Sequence, residues 1–415
     1  MSSHATRLVW TRVVLLSLGG FFEYYDLFFT GYIAPGLVRS GILTPTTHGL
    51  FGTTGIASFA AAMFSGLFVG TALVSFVADR FGRRAIFTFS LLWYTAASVV
   101  MAFQHDVFGL NFWRFVSGIG VGVELVTIDA YIAELVPPDL RGRAFAYNQV
   151  IQFSAVPVVA LLAWRLVPLS PLGLDGWRWV VLLGAAGAIV VWWIRRRIPE
   201  SPLWLAQHHS PRPQGTFGEM WRPPYRKRSI MLIIFNLFQT VGFYGFSNWV
   251  PTMLIQRGIA VTNSLQYTFV IAIAAPFGPL VAAAIADKFE RKWQIVAAAG
   301  AIAVCGVVFG QVTAAALLIL FGVLLTLANN MLSFSFHAYQ AELFPTRIRA
   351  SAVGFVYSFS RLSVVFSSFL IGFTLDRAGV PGVFTLIAGS MLVVMLAIGL
   401  HGPRTNRLAL EVISQ

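Results

Sequence analysis

Two ten-residue stretches decide the architecture of this chain: SFVADRFGRR at residues 75–84 and AAIADKFERK at residues 283–292. In each stretch an acidic residue that follows an apolar run is itself followed by a basic cluster, and the two stretches lie 208 residues apart. A second pair, YIAELVPPDLRGR at residues 131–143 and YQAELFPTRIRAS at residues 339–351, has the same separation. Two independent motifs that share one offset indicate a duplicated unit.

The hydropathy pattern around these motifs predicts that each unit is a membrane bundle. The chain is 57% hydrophobic and 11% charged, whereas a soluble domain carries about 25% charged residues. A spanning helix needs about 20 apolar residues, and lipid requires every backbone polar group to be bonded within the segment. We predict an all-α membrane protein with twelve transmembrane helices in two six-helix bundles. The predicted spans are residues 12–36, 49–78, 85–103, 108–135, 144–166, 178–194, 229–254, 265–286, 293–311, 314–343, 350–375 and 381–401.

The longest polar stretch, residues 195–228, predicts a linker between an N-terminal bundle at residues 1–194 and a C-terminal bundle with a short tail at residues 229–415. Most of the 29 Lys and Arg residues fall on the side of the linker and both termini. Basic loops resist translocation, so this side is predicted to be cytoplasmic. The predicted outer-side exceptions are Arg39, Arg165, Arg178, Arg257 and Arg377.

The first of the repeated stretches resembles the G-x-x-x-D-R-x-G-R-R signature of the major facilitator superfamily, with Ser75 in the position of the first glycine. The second copy has Ala283 and Glu290 in the two glycine positions. In that family the motif is assigned to locking the inward-closed, outward-open state. The predicted gating residues are Asp79, Arg80, Gly82, Arg83, Arg84, Glu134, Arg141, Asp287, Glu342 and Arg349.

Two further stretches favour one branch of that superfamily. Residues 199–205, PESPLWL, resemble the P-E-S-P-R-W-L signature of sugar porters and metabolite–proton symporters, with Leu203 in the arginine position. Glu23-Tyr-Tyr-Asp26 resembles the E-W-Y-D of metabolite–proton symporters. The resemblance implies the major facilitator fold, in which the first, fourth, seventh and tenth helices line a central cavity. The tenth span lacks the sugar porters' P-x-x-W element, which argues against a hexose substrate.

Charges within the predicted spans are candidate functional groups, because a charge inside a bilayer is costly. Glu23 and Asp26 lie three residues apart on one helix face, and their mutual repulsion favours proton binding by one of them. We predict proton coupling at Asp26, with Glu23 and Glu124 as further candidates; the alternative is a structural ion pair. Arg114 lies at a depth that allows a pair with Asp26, either as a proton-dependent switch or as a permanent bridge.

Arg361 stands near the middle of the eleventh span, and an arginine does not deprotonate. Its counter-charge is expected from the other half or from a bound anion, and organic-anion transporters of the superfamily carry an arginine on this helix. Snorkelling or a structural partner is the alternative. His337 is either a proton relay or a structural histidine. The predicted substrate-binding residues are Arg361, Arg114, Gln149, Gln152, Gln239, Tyr244, Asn248, Asn329, Asn330 and His337, with Asn148 and Asn236 among the other polar residues of these helices.

The sequence contains no nucleotide-binding loop, nucleophile motif or Cys/His cluster, so an enzyme is not expected, nor is a cofactor or a metal. We predict an alternating-access secondary transporter, namely a proton-coupled symporter of a small organic anion. The expected partners are a small-molecule substrate, protons and the lipid bilayer, with no nucleic acid. We expect a monomer in the cytoplasmic (inner) membrane. The alternatives are a channel, a sugar or polyol symporter, and an efflux transporter.

Overall fold

The computed structural model describes residues 3–44, 55–81, 83–137, 140–195, 217–285, 288–345 and 348–405. These residues are almost entirely helical and include no strand. Short 3-10 helices lie at Pro171–Gly173 and Phe217–Trp221. The α-helices of the described residues are α1 (Ser3–Arg39), α2 (Gly55–Phe81), α3 (Arg83–Ala102), α4 (Val107–Leu135), α5 (Arg141–Phe153), α6 (Ala155–Leu166), α7 (Gly176–Arg195), α8 (Tyr225–Ser247), α9 (Val250–Gln256), α10 (Val261–Ala272), α11 (Phe277–Ile285), α12 (Arg291–Gln311), α13 (Ala315–Glu342) and α14 (Arg349–His401).

These helices account for the twelve predicted spans. Within the described residues, nine helical segments are long and apolar enough to cross a membrane. One of them, Ala352–His401, contains the last two predicted spans, which meet at Gly379, where φ is 64°. Helices α2 and α4, with 27 and 29 residues, also exceed the roughly 20 residues that a span needs.

Proline residues break three of the predicted spans. Pro157, Pro251 and Pro276 each follow the last residue of α5, α8 and α10 by four positions. A proline removes the N–H that would bond to the carbonyl four residues earlier, and its ring clashes with that carbonyl. The predicted fifth, seventh and eighth spans are present, and the helix of each is interrupted just before its proline. Helix α8 also begins earlier than predicted, at Tyr225, because the last residues of the predicted linker are helical.

Close backbone contact between α2 and α4 explains the glycine-rich sequence of the fourth span. A Cβ atom placed on Gly118 would lie 2.3 Å from the carbonyl oxygen of Met63, and one on Gly122 would lie 2.3 Å from that of Leu67. Only glycine permits this approach, as is common where membrane helices pack through small residues. The contact fixes α4, which carries Arg114, within the bundle.

The chain divides into two compact units. Unit 1 comprises Met1–Pro211 with Gly258–Phe269, and unit 2 comprises Arg212–Arg257 with Val270–Gln415. Residues 196–216 of the predicted linker lie outside the described residues. The domain limits at residues 1–194, 195–228 and 229–415 stay predictions.

Arginine side chains close the same helix end in both units. Arg178 donates to the carbonyl groups of Ala102 and, at 2.9 Å, Gln104 at the C-terminal end of α3. Arg257 donates to the repeat-equivalent carbonyl groups at the C-terminal end of α12, at 2.8 Å from Val312. The last carbonyl groups of a helix have no partner within it. Both arginines are predicted outer-side exceptions, and this bonding gives each a structural role.

Candidate functional site

The centre of unit 1 is a buried ion pair between α1 and α4. Arg114 Nη1 lies 2.9 Å from Asp26 Oδ2, and the two side chains are 0% and 6% exposed. Arg114 Nη2 also donates to the main-chain oxygen of Asp26 at 2.6 Å and to Thr30 Oγ1 at 2.5 Å. The contact predicted from the depths of the two residues is therefore present. The arginine therefore bonds to two residues that lie one turn apart on α1.

Two serines complete the shell of the Asp26 carboxylate. Ser98 of α3 donates to Asp26 Oδ1 at 2.6 Å, and Ser117 of α4 donates to Oδ2 at 3.1 Å. The two hydroxyl oxygens are themselves 3.0 Å apart. Hydrogen bonds to an ionised acceptor are stronger than neutral ones, so these two serines help to fix the position of the carboxylate. Sequence reasoning missed both serines, although Ser117 lies three residues after Arg114 on the same helix face.

The surroundings of the pair are apolar. The guanidinium carbon of Arg114 lies 4.2 Å from the ring centre of Phe29 and 5.5 Å from that of Phe59. In such surroundings, removing one member of an ion pair leaves a buried charge that is expensive to keep. A proton on Asp26 has the same electrostatic consequence, because it removes the negative charge and leaves Arg114 charged.

Most of the other predicted binding and coupling residues of unit 1 are also buried, and Gln149 is half-buried. Glu23, one turn before Asp26, and Glu124 are both 0% exposed. Gln152 of α5 packs on α1, since a Cβ atom on Gly20 would lie 2.4 Å from its Nε2. Among the described residues, both amide atoms of buried Asn148 and the Oε1 of Gln149 have no hydrogen-bond partner.

Unit 2 holds a second buried arginine. Arg361 of α14 is 2% exposed. Its Nη1 donates to the hydroxyl of Tyr244 at 3.1 Å and its Nη2 to the hydroxyl of Tyr357 at 2.7 Å. Its guanidinium carbon lies 4.7 Å from the ring centre of Tyr357. These tyrosines are structural partners of Arg361, as one of the sequence-based alternatives allowed, and the source of its counter-charge stays a prediction. Tyr357 was not predicted, although it lies one helical turn before the arginine.

His337 belongs to the same group, which we call the Arg361 cluster: Tyr244, His337, Tyr357 and Arg361. The His337 ring lies edge-on to the Tyr357 ring at 5.3 Å. Its Nδ1 lies 2.7 Å from the carbonyl oxygen of Ser333, one turn earlier on α13. A carbonyl only accepts hydrogen bonds, so Nδ1 carries a proton and Nε2 is an acceptor in the neutral ring.

The predicted amide residues of unit 2 are mostly bonded to backbone. Asn236 and Asn329 donate to carbonyl groups one turn earlier on their own helices, at 2.9 and 3.0 Å. Asn330 donates to Ala275 at 2.8 Å. Gln239 and Asn248 are 5% and 3% exposed. Within the described part of the chain, both amide atoms of Asn248 and the oxygens of Asn236 and Asn329 have no partner.

Of the predicted gating residues, Glu342 forms an ion pair with Arg291 of α12. Glu290, which stands where the motif has its second glycine, accepts a hydrogen bond from the backbone N–H of Thr405 at 2.8 Å. This contact connects the start of α12 with the segment that follows α14. Arg84 is exposed. Gly82 and Asp287 lie outside the described residues, as do the side chains of Asp79, Arg80, Arg83, Glu134, Arg141 and Arg349.

A bundle of membrane-spanning helices in two repeated units, with buried charged side chains inside each unit, defines the class of secondary transport proteins. The family model described as Major Facilitator Superfamily matches residues 16–329 and 270–411. The chain belongs to this superfamily. The all-α fold of twelve transmembrane helices in two repeated bundles is thereby confirmed, and so is the prediction of a transporter rather than an enzyme.

Relatives support this assignment over the whole chain. A metabolite transport protein of Bacillus subtilis is 30% identical over 428 residues, covering 95% of this chain and 92% of the relative. The niacin transporter of Acinetobacter baylyi is 25% identical over 434 residues, covering 97% and 96%. The xylose transporter of E. coli, solved in a partially occluded inward-open conformation, has a TM-score of 0.78 at 20% identity, covering 96% and 98%. The protein is therefore a multi-pass membrane transporter of small molecules.

Proposed function

We propose that the protein is a proton-coupled symporter of a small organic anion. The observation that carries the proposal is the buried 2.9 Å contact between Asp26 and Arg114. Asp26 is the group that binds the coupling proton, and Arg114 is the group whose position responds to it. Protonation discharges Asp26 and weakens its hold on Arg114, so α1 and α4 have two electrostatic states. Alternating access requires such a difference between the loaded and the empty carrier.

Arg361 is the proposed anchor for the anion. Two of its hydrogen-bond acceptors, at 2.7 and 3.1 Å, are phenol hydroxyls, which carry no charge when protonated. The predicted spans of the second half contain no acid away from their ends. A carboxylate matches the planar guanidinium with two parallel hydrogen bonds, and the rings of the Arg361 cluster suit a flat substrate. Because one relative is a niacin transporter, nicotinate is the first carboxylate to test.

The proposed direction is import across the inner membrane, with both termini and the predicted linker in the cytoplasm. The distribution of Lys and Arg supports this orientation. Labelling of a cysteine placed at Gln415 by an impermeant thiol reagent in intact cells would contradict it, provided that Cys305 has first been replaced by serine.

The test uses the purified full-length protein. Thermal unfolding is measured with nicotinate, with other aromatic and aliphatic monocarboxylates, and with xylose and polyols, because a ligand raises apparent stability by mass action. The best binder is then offered to proteoliposomes with an acidic outer buffer. We expect stabilisation by a monocarboxylate, and accumulation only while the pH gradient lasts. If only a polyol stabilises the protein, the organic-anion proposal is contradicted.

A proton-coupled sugar or polyol symporter is the second candidate. Asn248 and Asn329 favour it, because both are buried and carry amide atoms without partners among the described residues. Amide groups can donate to and accept from sugar hydroxyls. This candidate predicts that replacing Asn248 with alanine impairs binding more than replacing Arg361 does. Binding of the stabilising ligand to the two variants decides between the candidates.

A further inference from the structure

We infer that the coupling proton reaches Asp26 through a cavity inside unit 1, between α1, α3 and α7, and that the hydroxyl of Ser98 delivers it. This inference rests on the proposed function, because it takes Asp26 as the proton-binding residue. The cavity is small and partly enclosed. It is narrow, with room for roughly one ordered water. Its lining residues are Phe22, Tyr25, Asp26, Phe29, Tyr94, Thr95, Ser98, Val181, Gly184, Ala185 and Ala188.

The cavity reaches Asp26 from a different side than Arg114 does. Asp26 and Ser98 both line the cavity, whereas Arg114 is absent from its described lining. Ser98 donates to Asp26 Oδ1, and Arg114 contacts Oδ2. A proton that arrives through the cavity therefore meets the oxygen that carries no ionic contact. It does not have to pass the guanidinium, which would repel it.

Thr95 independently indicates that the cavity binds a polar molecule such as water. It lies on α3 three residues before Ser98, lines the same cavity and is 4% exposed. Its Oγ1 has no hydrogen-bond partner among the described residues. Buried hydroxyl groups are nearly always bonded to protein or to an ordered water. A water bonded to Thr95 would satisfy that hydroxyl and supply the next member of a hydrogen-bonded chain.

Part of the cavity lining on α3 and α7 lies near the helix ends that are predicted to face outwards. Ser98 is four residues from the last residue of α3, which is about 6 Å along the helix. Val181 is five residues from the first residue of α7, about 7.5 Å. For an importer driven by external protons, this is the end from which the proton must enter.

The transfer balances with the groups in place. A hydrated proton at Thr95 passes one proton to Ser98 Oγ, while the proton already on Ser98 moves to Asp26 Oδ1. Ser98 regains an O–H bond and now accepts from the protonated carboxyl group, so the net change is one proton on Asp26. The other titratable groups around Asp26 are Arg114 of α4, Tyr94 of α3, and Glu23 and Tyr25 of α1, and Tyr25 already donates to the carbonyl of Val180 at 2.7 Å. Helix α7 contributes only apolar lining.

The test measures proton arrival without a substrate. Full-length protein in lipid vesicles is acidified by flash release of a caged proton, and time-resolved infrared spectroscopy follows the band of the protonated carboxyl group, which Asp26→Asn identifies by removing it. Ser98→Ala and Thr95→Val remove hydroxyls, and Ala188→Leu fills the cavity while leaving both hydroxyls. Ser90→Ala is the control, because Ser90 is buried on the same helix but bonds only to its own turn, at Phe87.

We expect the Asp26 band to rise about tenfold more slowly in the three cavity variants, as for a lost hydrogen bond in the transfer step, and at the normal rate in Ser90→Ala. Unchanged rates in all variants would overturn the route. A slow Ser98→Ala with a normal Ala188→Leu would also overturn it, because the serine would then act without the cavity. If the wild-type protein shows no band that Asp26→Asn removes, the proposed function itself fails.

Discussion

The two buried arginines of this transporter are held in opposite ways. Arg114 in unit 1 pairs with a carboxylate at 2.9 Å, so its charge is balanced within the protein. Arg361 in unit 2 donates to two phenol hydroxyls, at 2.7 and 3.1 Å. A charge that is paired with a titratable group suits a switch, and one that donates to phenol hydroxyls suits a binding site for an anion. On this difference we propose that unit 1 carries the coupling and unit 2 the recognition of the substrate.

The internal repeat shows that this difference arose within one duplicated framework. Positions 208 residues after Asp26 and Arg114 are Ile234 and Gly322, so unit 2 has lost or never had the pair. The position 208 residues before Arg361 is Phe153. By contrast, the arginine-closed ends of α3 and α12 are equivalent in the repeat. The two halves therefore share the arginine contacts at these helix ends but differ in their buried charged residues.

The largest effect should come from Arg361. Arg361→Ala should weaken binding of the stabilising carboxylate by about 2–5 kcal/mol, that is by thirtyfold or more, because a buried charged contact is lost. Gradient-driven uptake and exchange should fail together. Arg361→Lys should restore little, since lysine cannot make two parallel hydrogen bonds. Arg377→Ala, an exposed arginine on the same helix, is the control. If Arg361→Ala binds the carboxylate with wild-type affinity, substrate recognition does not lie in unit 2.

The next effect tests the packing that positions the switch. Gly118→Val should lower the free energy of unfolding by about 1–3 kcal/mol, because the added carbons meet the backbone of α2. Gly389→Val is the matched control, since a Cβ atom at Gly389 has no neighbour within 4 Å. Thermal unfolding in detergent gives both values. Equal melting temperatures for the two variants would show that the α2–α4 contact is not tight.

The sequence alone predicted much of unit 1 and less of unit 2. Apolar length located the spans, and the depths of Asp26 and Arg114 along their helices were enough to predict their contact. The contact of Ser98 with Asp26 depends on the rotation of α3 about its axis, which a helix that is apolar on most faces does not specify. Tyr357 was within reach of sequence reasoning, because a residue four positions before Arg361 shares its helix face.

A smaller effect concerns coupling. Asp26→Asn imitates the protonated residue permanently, so it should abolish accumulation under a pH gradient but spare exchange of labelled for unlabelled substrate. A gradient of one pH unit is worth about 1.4 kcal/mol, or tenfold accumulation for one proton, and this factor should fall to one. Asp175→Asn, an acid of the loop before α7 that contacts Arg178, is the control. Continued accumulation in Asp26→Asn would transfer the coupling role to Glu23 or Glu124.

The smallest expected effect concerns an ion pair that we expect at equivalent positions of the two units. Unit 2 pairs Arg291 with Glu342, and the equivalent positions in unit 1 are Arg83 and Glu134. The repeat therefore predicts an ion pair between Arg83 and Glu134, whereas the motif alone suggests that Glu134 also interacts with Arg141. Partly exposed pairs contribute about 0.2–1 kcal/mol. Double-mutant cycles on the unfolding free energy should give similar coupling energies for the two equivalent pairs, and both should shrink in high salt. If Glu134 couples to Arg141 and not to Arg83, the gate of unit 1 has diverged from that of unit 2 as its buried charges have, and the repeat would preserve only the helix ends.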